Sequence, residues 1–338
     1  MIGAVTHRNH AIQPRNATGD QAMQATVKRE VVFHGVGLHS GVPARLILRP
    51  APVGQGIVFC RTDLPGRPVV PALWDRVSSA RLCTRLEGPD GMSVSTVEHV
   101  MAALAGTGII NVTVDVDGPE VPILDGSAAP FVRGILAVGI KRQPGPCRMI
   151  RVKRRVEIRA GEAWAALEPA ESLEIDFAID FADAAIGRQH KRLDMANGSF
   201  VKELADSRTF CSHSDVAAMQ AVGLARGGSY FNAVVYDGDK VLSPGGLRHQ
   251  DEAVRHKMLD AMGDLALAGA PLLARFSASR GGHALTNQLL RKLFADRTAW
   301  EEVECDAMQA ARLPGRGLTQ PVEAAIMAQG RGGDRATA

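Results

Sequence analysis

Residues 251–269 read DEAVRHKMLDAMGDLALAG. Met258, Leu259, Met262, Leu265 and Leu267 give the stretch the apolar recurrence of a packed helix. His256, Asp260 and Asp264 follow one another at intervals of four. One turn takes about 3.6 residues, so the three stack on a single face, one turn apart. An imidazole and two carboxylates turned toward a packed side need compensation. Backbone groups and arginine or lysine side chains are one source, and a metal ion is another.

Outward from this helix the chain alternates strands and helices without a strict βαβ order. Downstream, 272–279 reads as a strand and 283–294 as a helix. Upstream, strands read at 149–158, 163–167 and 173–179, a helix at 214–222, and a hairpin around YDGDK at 236–240. The first half has similar element order. Strands read at 27–33 and 44–49 around a turn bearing Gly and His. The Ser95-x-x-Glu98 spacing predicts a capping box, opening an Ala-rich helix that stops at Gly106. A strand at 111–116 ends in Asp117-Gly118, and a helix follows over 128–138. QPGP at 143–146 reads as a linker. The pattern favours an α+β fold over a doubly wound sheet. It divides the chain into a first domain over 23–146 and a second over 147–312. Residues 1–22 read as a disordered extension and 313–338 as a flexible tail.

Composition narrows the function. The 338 residues carry 39 basic and 36 acidic side chains, a formal net charge of +3. Short basic clusters such as 153–155 have no aromatic interleaving, so nucleic acid is not an expected partner. The five cysteines, Cys60, Cys83, Cys147, Cys211 and Cys305, are odd in number and far apart with no C-x-x-C pair. That predicts a reducing compartment and no cysteine-held zinc. No apolar run reaches the roughly 20 residues of a membrane span, and residues 1–22 hold no apolar signal core. A cytoplasmic protein without an integral membrane segment is expected, and a monomer.

Two further features bear on the polar helix face. Glu98-His99 opens the Ala-rich helix. With His256 and Asp260, His99 would make two histidines and one aspartate around an open fourth position, the usual arrangement of catalytic zinc. Glu98 beside it would be placed to take a proton. His283, in RGGHAL at 280–285, begins a helix after two glycines, and an aspartate such as Asp264 orients and charges a histidine used as an acid. Read singly, each is better explained as a satisfied core or capping residue. His34, His39, Cys83 and the Asp125-Gly126 turn read as structural, and Gly35-Val36-Gly37 is no dinucleotide fingerprint because no helix follows. His213 and His249 receive no role.

Eight runs, GVGLHSG (35–41), LRPAP (48–52), STVEHVMAALAG (95–106), EVPILDGSAAPFV (120–132), SRTF (207–210), GGS (227–229), VRHKMLDAMGDL (254–265) and GHAL (282–285), occur in the order of one family. Together they resemble the zinc-dependent UDP-3-O-acyl-N-acetylglucosamine deacetylases of bacterial lipid A biosynthesis, from about Met23 to Phe294. The resemblance implies two similar domains, each a sheet packed against a helix pair, with the helical layers facing each other in a β-α-α-β sandwich around the site. It implies one Zn2+ per chain and hydrolysis of the 2-acetamido group of UDP-3-O-acyl-N-acetylglucosamine, giving the free amine and acetate, the committed step of that pathway. His99, His256 and Asp260 match the zinc ligands and Glu98 the general base. His283 matches the group that protonates the leaving amine, with Asp264 hydrogen-bonded to it. Thr209 matches a hydroxyl near the oxyanion, Lys257 a substrate-binding lysine, and Phe210 an aromatic packed on the substrate. Gly228 falls in a substrate-binding run. An acyl-passage insert is implied near 211–241.

One segment departs from the family. After Phe210 the family usually continues with Gly and an apolar residue, where this chain has Cys211-Ser212-His213. That predicts an acyl passage altered near its mouth. A hydrolase acting on a different acylated sugar is the second reading, and a non-catalytic scaffold with a merely satisfied polar cluster is the third.

Overall fold

The computed structural model describes residues 23–78 and 82–318. The expected disorder of residues 1–22, and most of the expected flexible tail, fall outside them. Four helices form the centre: α1 (Glu98–Thr107), α2 (Ala129–Val138), α4 (Glu252–Ala266) and α5 (His283–Ala295). Two shorter ones, α3 (His213–Ala221) and α6 (Ala307–Ala311), lie outside it.

The fold is α+β. A five-stranded sheet orders Val31–Val36, Pro43–Pro50, Val112–Val116, Ile57–Arg61 and Val69–Pro71, with only Ile57–Arg61 and Val112–Val116 parallel. The helix α2 lies against it through Phe131, whose ring meets Phe33 edge-on at 5.0 Å between centroids. Gly134 makes that fit possible, since a Cβ there would stand 2.5 Å from Phe33 Cζ. A seven-stranded sheet centres on Leu272–Ser279, antiparallel to Ala163–Pro169 and parallel to Leu173–Asp180. The helix α5 covers it with buried Leu289, Leu290 and Leu293.

The two helical layers meet where α1 packs on α4. Contact is closest at Gly263, where a Cβ would fall 2.0 Å from the carbonyl oxygen of Glu98. No larger residue fits while the backbones stay in place. Gly106 plays a similar part, since a Cβ there would lie 2.0 Å from the Phe200 ring. It therefore sits inside α1 rather than ending it, and Gly108 closes the helix in a left-handed cap at φ 77°.

Other sequence expectations also change. The apolar run 27–33 is two strands, Met23–Val27 and Val31–Val36, split by a polar turn. The run 149–158 likewise splits into Arg148–Val152 and Val156–Ala160 around Lys153-Arg154-Arg155. QPGP is not a loose linker. It ends the strand Ile140–Pro146, paired antiparallel to Met23–Val27, and buried Gln143 bonds Ala51 and Asn111. The expected hairpin forms from Val234–Asp237 and Lys240–Val241, which join Phe210–Ser212 in a small three-stranded sheet. Among the described residues, no helix is long and apolar enough to cross a membrane.

Candidate active site

The helix α1 begins after a strained entry. Thr96 has φ 59°, a left-handed value that a β-branched residue rarely adopts. Its hydroxyl donates to Glu120 Oε1 at 2.7 Å. The Glu120 carboxylate also accepts the backbone N–H groups of His39 and Ser40, so one buried acid binds the Gly-rich turn to the start of α1. The predicted capping box does not form. Ser95 ends a strand, and α1 has no side-chain cap. Glu98 Oε2 accepts from the backbone N–H of Thr84 instead, at 3.0 Å. Glu98 thus faces inward with its second oxygen, Oε1, 3.8 Å from His283 Nε2.

Across the seam, α4 presents His256, Asp260 and Asp264, all buried. The structure brings His256 and Asp260 together with His99: one donor atom from each lies within 4.8 Å of the others. Asp260 Oδ1 is 3.3 Å from His256 Nε2 and 3.6 Å from His99 Nε2. The two imidazole rings stand nearly perpendicular at 5.0 Å between centroids. His256 Nδ1 donates to the Ser207 carbonyl at 3.0 Å, which fixes the tautomer and leaves Nε2 as a free lone pair facing the cluster. Burial pushes the His256 pKa down to about 4 despite Asp260, so the ring is neutral, as a metal ligand must be. Burial alone would raise the Asp260 pKa, but its neighbours, the imidazole of His256 and the ammonium of Lys257, outweigh it and hold the carboxyl well below its usual range.

A metal ion fits this arrangement. Asp260 Oδ1 is buried with no hydrogen-bond donor among the described residues, a costly state for an anionic oxygen. Its other oxygen accepts from Lys257 Nζ at 3.0 Å. Two imidazole nitrogens and one carboxylate oxygen suit zinc.

The second aspartate of the helix faces elsewhere. Asp264 Oδ2 accepts from His283 Nδ1 at 2.8 Å, and Oδ1 accepts from the Thr84 hydroxyl at 2.5 Å. Burial would lower the His283 pKa, but the carboxylates of Asp264 and Glu98 raise it to about 9, so the ring is charged at neutral pH. Burial raises the Glu98 pKa, opposed by His283 and His99.

Thr84 was not foreseen from the sequence. It touches Glu98 through its backbone and Asp264 through its side chain, 14 and 180 positions away. Its neighbour Cys83 is buried, with its thiol pushed up to about 12 by desolvation, and is inert. Arg208 was also missed. Its side chain and backbone N–H bond Glu252 at the start of α4, and this buried pair anchors the Ser207–Phe210 segment. The carbonyl that receives His256 is in that segment.

Of the remaining expected residues, Thr209 is half-buried and its backbone bonds Gly126 and Val234. Phe210 stands edge-on to His256 at 6.2 Å, to Tyr236 at 6.1 Å and to Phe181 at 5.3 Å, so it borders the cluster. Gly228 lies in a loop packed on Leu38, and its loop neighbours Ala225 and Arg226 donate backbone N–H groups to His39. His39, which the sequence suggested was structural, has a buried Nε2 without a partner among the described residues.

Comparison with known proteins gives a consistent result. A family model described as LpxC: UDP-3-O-acyl N-acetylglycosamine deacetylase matches residues 24–295. A UDP-3-O-acyl-N-acetylglucosamine deacetylase of Shewanella oneidensis is 46% identical over 298 residues, covering 86% of this chain and 97% of its own. One of Shewanella baltica has the same identity and coverage. Another, of a Shewanella species, is 47% identical over 282 residues, 83% of this chain and 92% of its own.

Proposed function

This chain belongs to the LpxC family of UDP-3-O-acyl N-acetylglycosamine deacetylases, and from that membership we propose how its own residues carry out the reaction. It is a deacetylase of UDP-3-O-acyl-N-acetylglucosamine in lipid A biosynthesis. The observation that carries the reading is Asp260 Oδ1, buried without a donor between His99 and His256. We assign those three residues as ligands of one Zn2+. When bound, zinc supplies Lewis acidity, lowering the pKa of water toward ~7 and polarising a carbonyl oxygen.

The chain provides the proton transfers. Glu98, pinned through Oε2 by Thr84, keeps Oε1 free to take the proton of the attacking water. An amine leaves only once protonated, and His283 Nε2 supplies that proton. Asp264 holds Nδ1, so the ring presents Nε2 to the site. The two groups stand on opposite sides of the seam, which suits a base and a separate acid. Lys257 balances Asp260 and reaches the substrate's polar part. The Thr209 hydroxyl donates to the developing oxyanion. Phe210 walls the start of the acyl passage, which we assign to 211–241, and the loop holding Gly228 borders the substrate.

We further assign 23–146 and 147–312 as the two domains between which the substrate binds. Zinc analysis combined with acetate release from UDP-3-O-acyl-N-acetylglucosamine tests the proposal. Full-length protein that hydrolyses the substrate with no bound metal, and is indifferent to chelators, would overturn the metal assignment.

A further inference from the structure

The seam between the two helical layers holds a second feature. A cavity of about 140 Å³ opens beside the last turns of α1 and α4. Its walls come from both halves of the chain, among them Ile109, Ile110, Met149, Leu173, Met262 and Leu265. It is separate from the catalytic cluster. Met262 and Ala266 each stand two positions from Asp260 or Asp264, roughly 200° round the helix at about 100° per residue. On α1 the cavity takes Ala105, at the end opposite Glu98 and His99.

The walls are apolar, but the charge at the rim is all of one sign. Arg142, Arg312 and Arg316 line the cavity, and no aspartate or glutamate does. Among the described residues none of the three guanidinium groups has an ion pair. Arg316 Nε is buried and has no hydrogen-bond partner among the described residues. Arg142 is exposed at the rim, yet near enough to Arg316 to feel it: partial desolvation, and then the Arg316 charge, lower the Arg142 pKa. Two cations side by side with an orphaned N–H form a site that an anion relieves. A guanidinium fork matches a carboxylate in two parallel hydrogen bonds. The apolar interior rejects a small hydrated anion and accepts a short hydrocarbon chain, since apolar cavities of about this volume stay dry and bind small apolar ligands.

We propose that this cavity binds a short-chain fatty carboxylate of about six carbons, its alkyl tail between the ends of α1 and α4 and its head group against Arg142 and Arg316. Such a ligand would lie against both halves of the chain while leaving the catalytic face of α4 untouched.

Calorimetric titration of the full-length, metal-loaded protein with hexanoate, hexanol and inorganic phosphate tests this. Hexanoate is expected to bind at one equivalent, with hexanol at least tenfold weaker and phosphate not bound. The double charge reversal Arg142→Glu with Arg316→Glu, at the rim, should weaken hexanoate at least tenfold. Ala270→Trp, which fills the cavity from the turn after α4, should abolish binding. Three results overturn the proposal: no hexanoate binding, equal binding of hexanoate and hexanol, or hexanoate binding that survives the charge reversal. Binding unchanged in both variants would place the acid in the acyl passage instead. If Ala270→Trp fails to fold, the charge-reversal comparison still decides.

Discussion

His283 Nδ1 lies 2.8 Å from Asp264 Oδ2, and the other oxygen of that carboxylate holds the hydroxyl of Thr84. The aspartate therefore belongs with His283 and not with the His99–His256–Asp260 cluster one turn away. Asp264→Ala is expected to retain one zinc per chain and to lower kcat by roughly 10²-fold or more, the usual loss when an acid–base group is disabled. Metal analysis beside steady-state kinetics checks this. Loss of zinc would make Asp264 a ligand.

Thr84→Val keeps the backbone bond to Glu98 and removes the hydroxyl bond to Asp264. A loss of about tenfold in kcat is expected, equivalent to about 1.4 kcal/mol at the barrier, with KM and zinc content unchanged. Thr84→Ser, which keeps a hydroxyl, should restore most of the rate. A merely structural threonine would show no rescue specific to the hydroxyl.

Removal of the metal by a chelator is expected to abolish acetate release, and added Zn2+ to restore it. His99→Ala and Asp260→Ala should each bind less than about one-tenth of the wild-type zinc when assayed at a limiting free concentration, because three protein ligands become two. Full zinc occupancy in either variant would remove that residue from the ligand set.

Glu252 takes three hydrogen bonds from Arg208 and one from the Arg248 backbone. Glu252→Ala leaves a buried guanidinium unpaired, so a loss of about 3–5 kcal/mol in unfolding free energy is expected. Burial alone would raise this carboxyl, but the bonds from Arg208 win and hold it below its ordinary 4.5. The pair's contribution is therefore complete above about pH 4.5 and is lost as the pH falls through the lower folded value. Urea titrations from pH 7 down to pH 3 should show the wild type converging on the variant at the acid end.

Ser212 Oγ lies 2.9 Å from Ser214 Oγ and 3.3 Å from Asp183 Oδ1, beside the aromatic pair of Phe181 and Phe210. Ser212→Phe is expected to move the preference toward shorter acyl chains, read as the ratio of kcat/KM values across an acyl-length series. An unchanged ratio would separate Ser212 from the acyl passage.

The polar helix face was readable because its periodicity is local: three residues, two intervals of four, one helix. The meeting of His99 with His256 needed the family's pattern, since no local period links residues 157 positions apart. The capping reading of Glu98 failed for the opposite reason. Its spacing from Ser95 satisfies a local capping rule, but the carboxylate is taken by Thr84, which folding brings from outside the helix. The turn at 28–30 was hidden because apolar residues resume on either side of it, and a period-2 pattern does not register a change of direction. Gln143 looked like linker because proline and glycine surround it. Its burial depends on Asn111 and Ala51, partners that local sequence does not reveal.

The carbonyl of Glu98 occupies the space where a side chain at Gly263 would begin. The distance between the two helices is therefore set by backbone against backbone, with no soft side chain between them to absorb error. Metal–ligand distances tolerate only about ±0.2 Å, and His99 and His256 reach their common point from opposite sides of that contact. In an engineer's terms Gly263 acts as a gauge block. One added methyl group would open the seam by more than the tolerance of the part it calibrates.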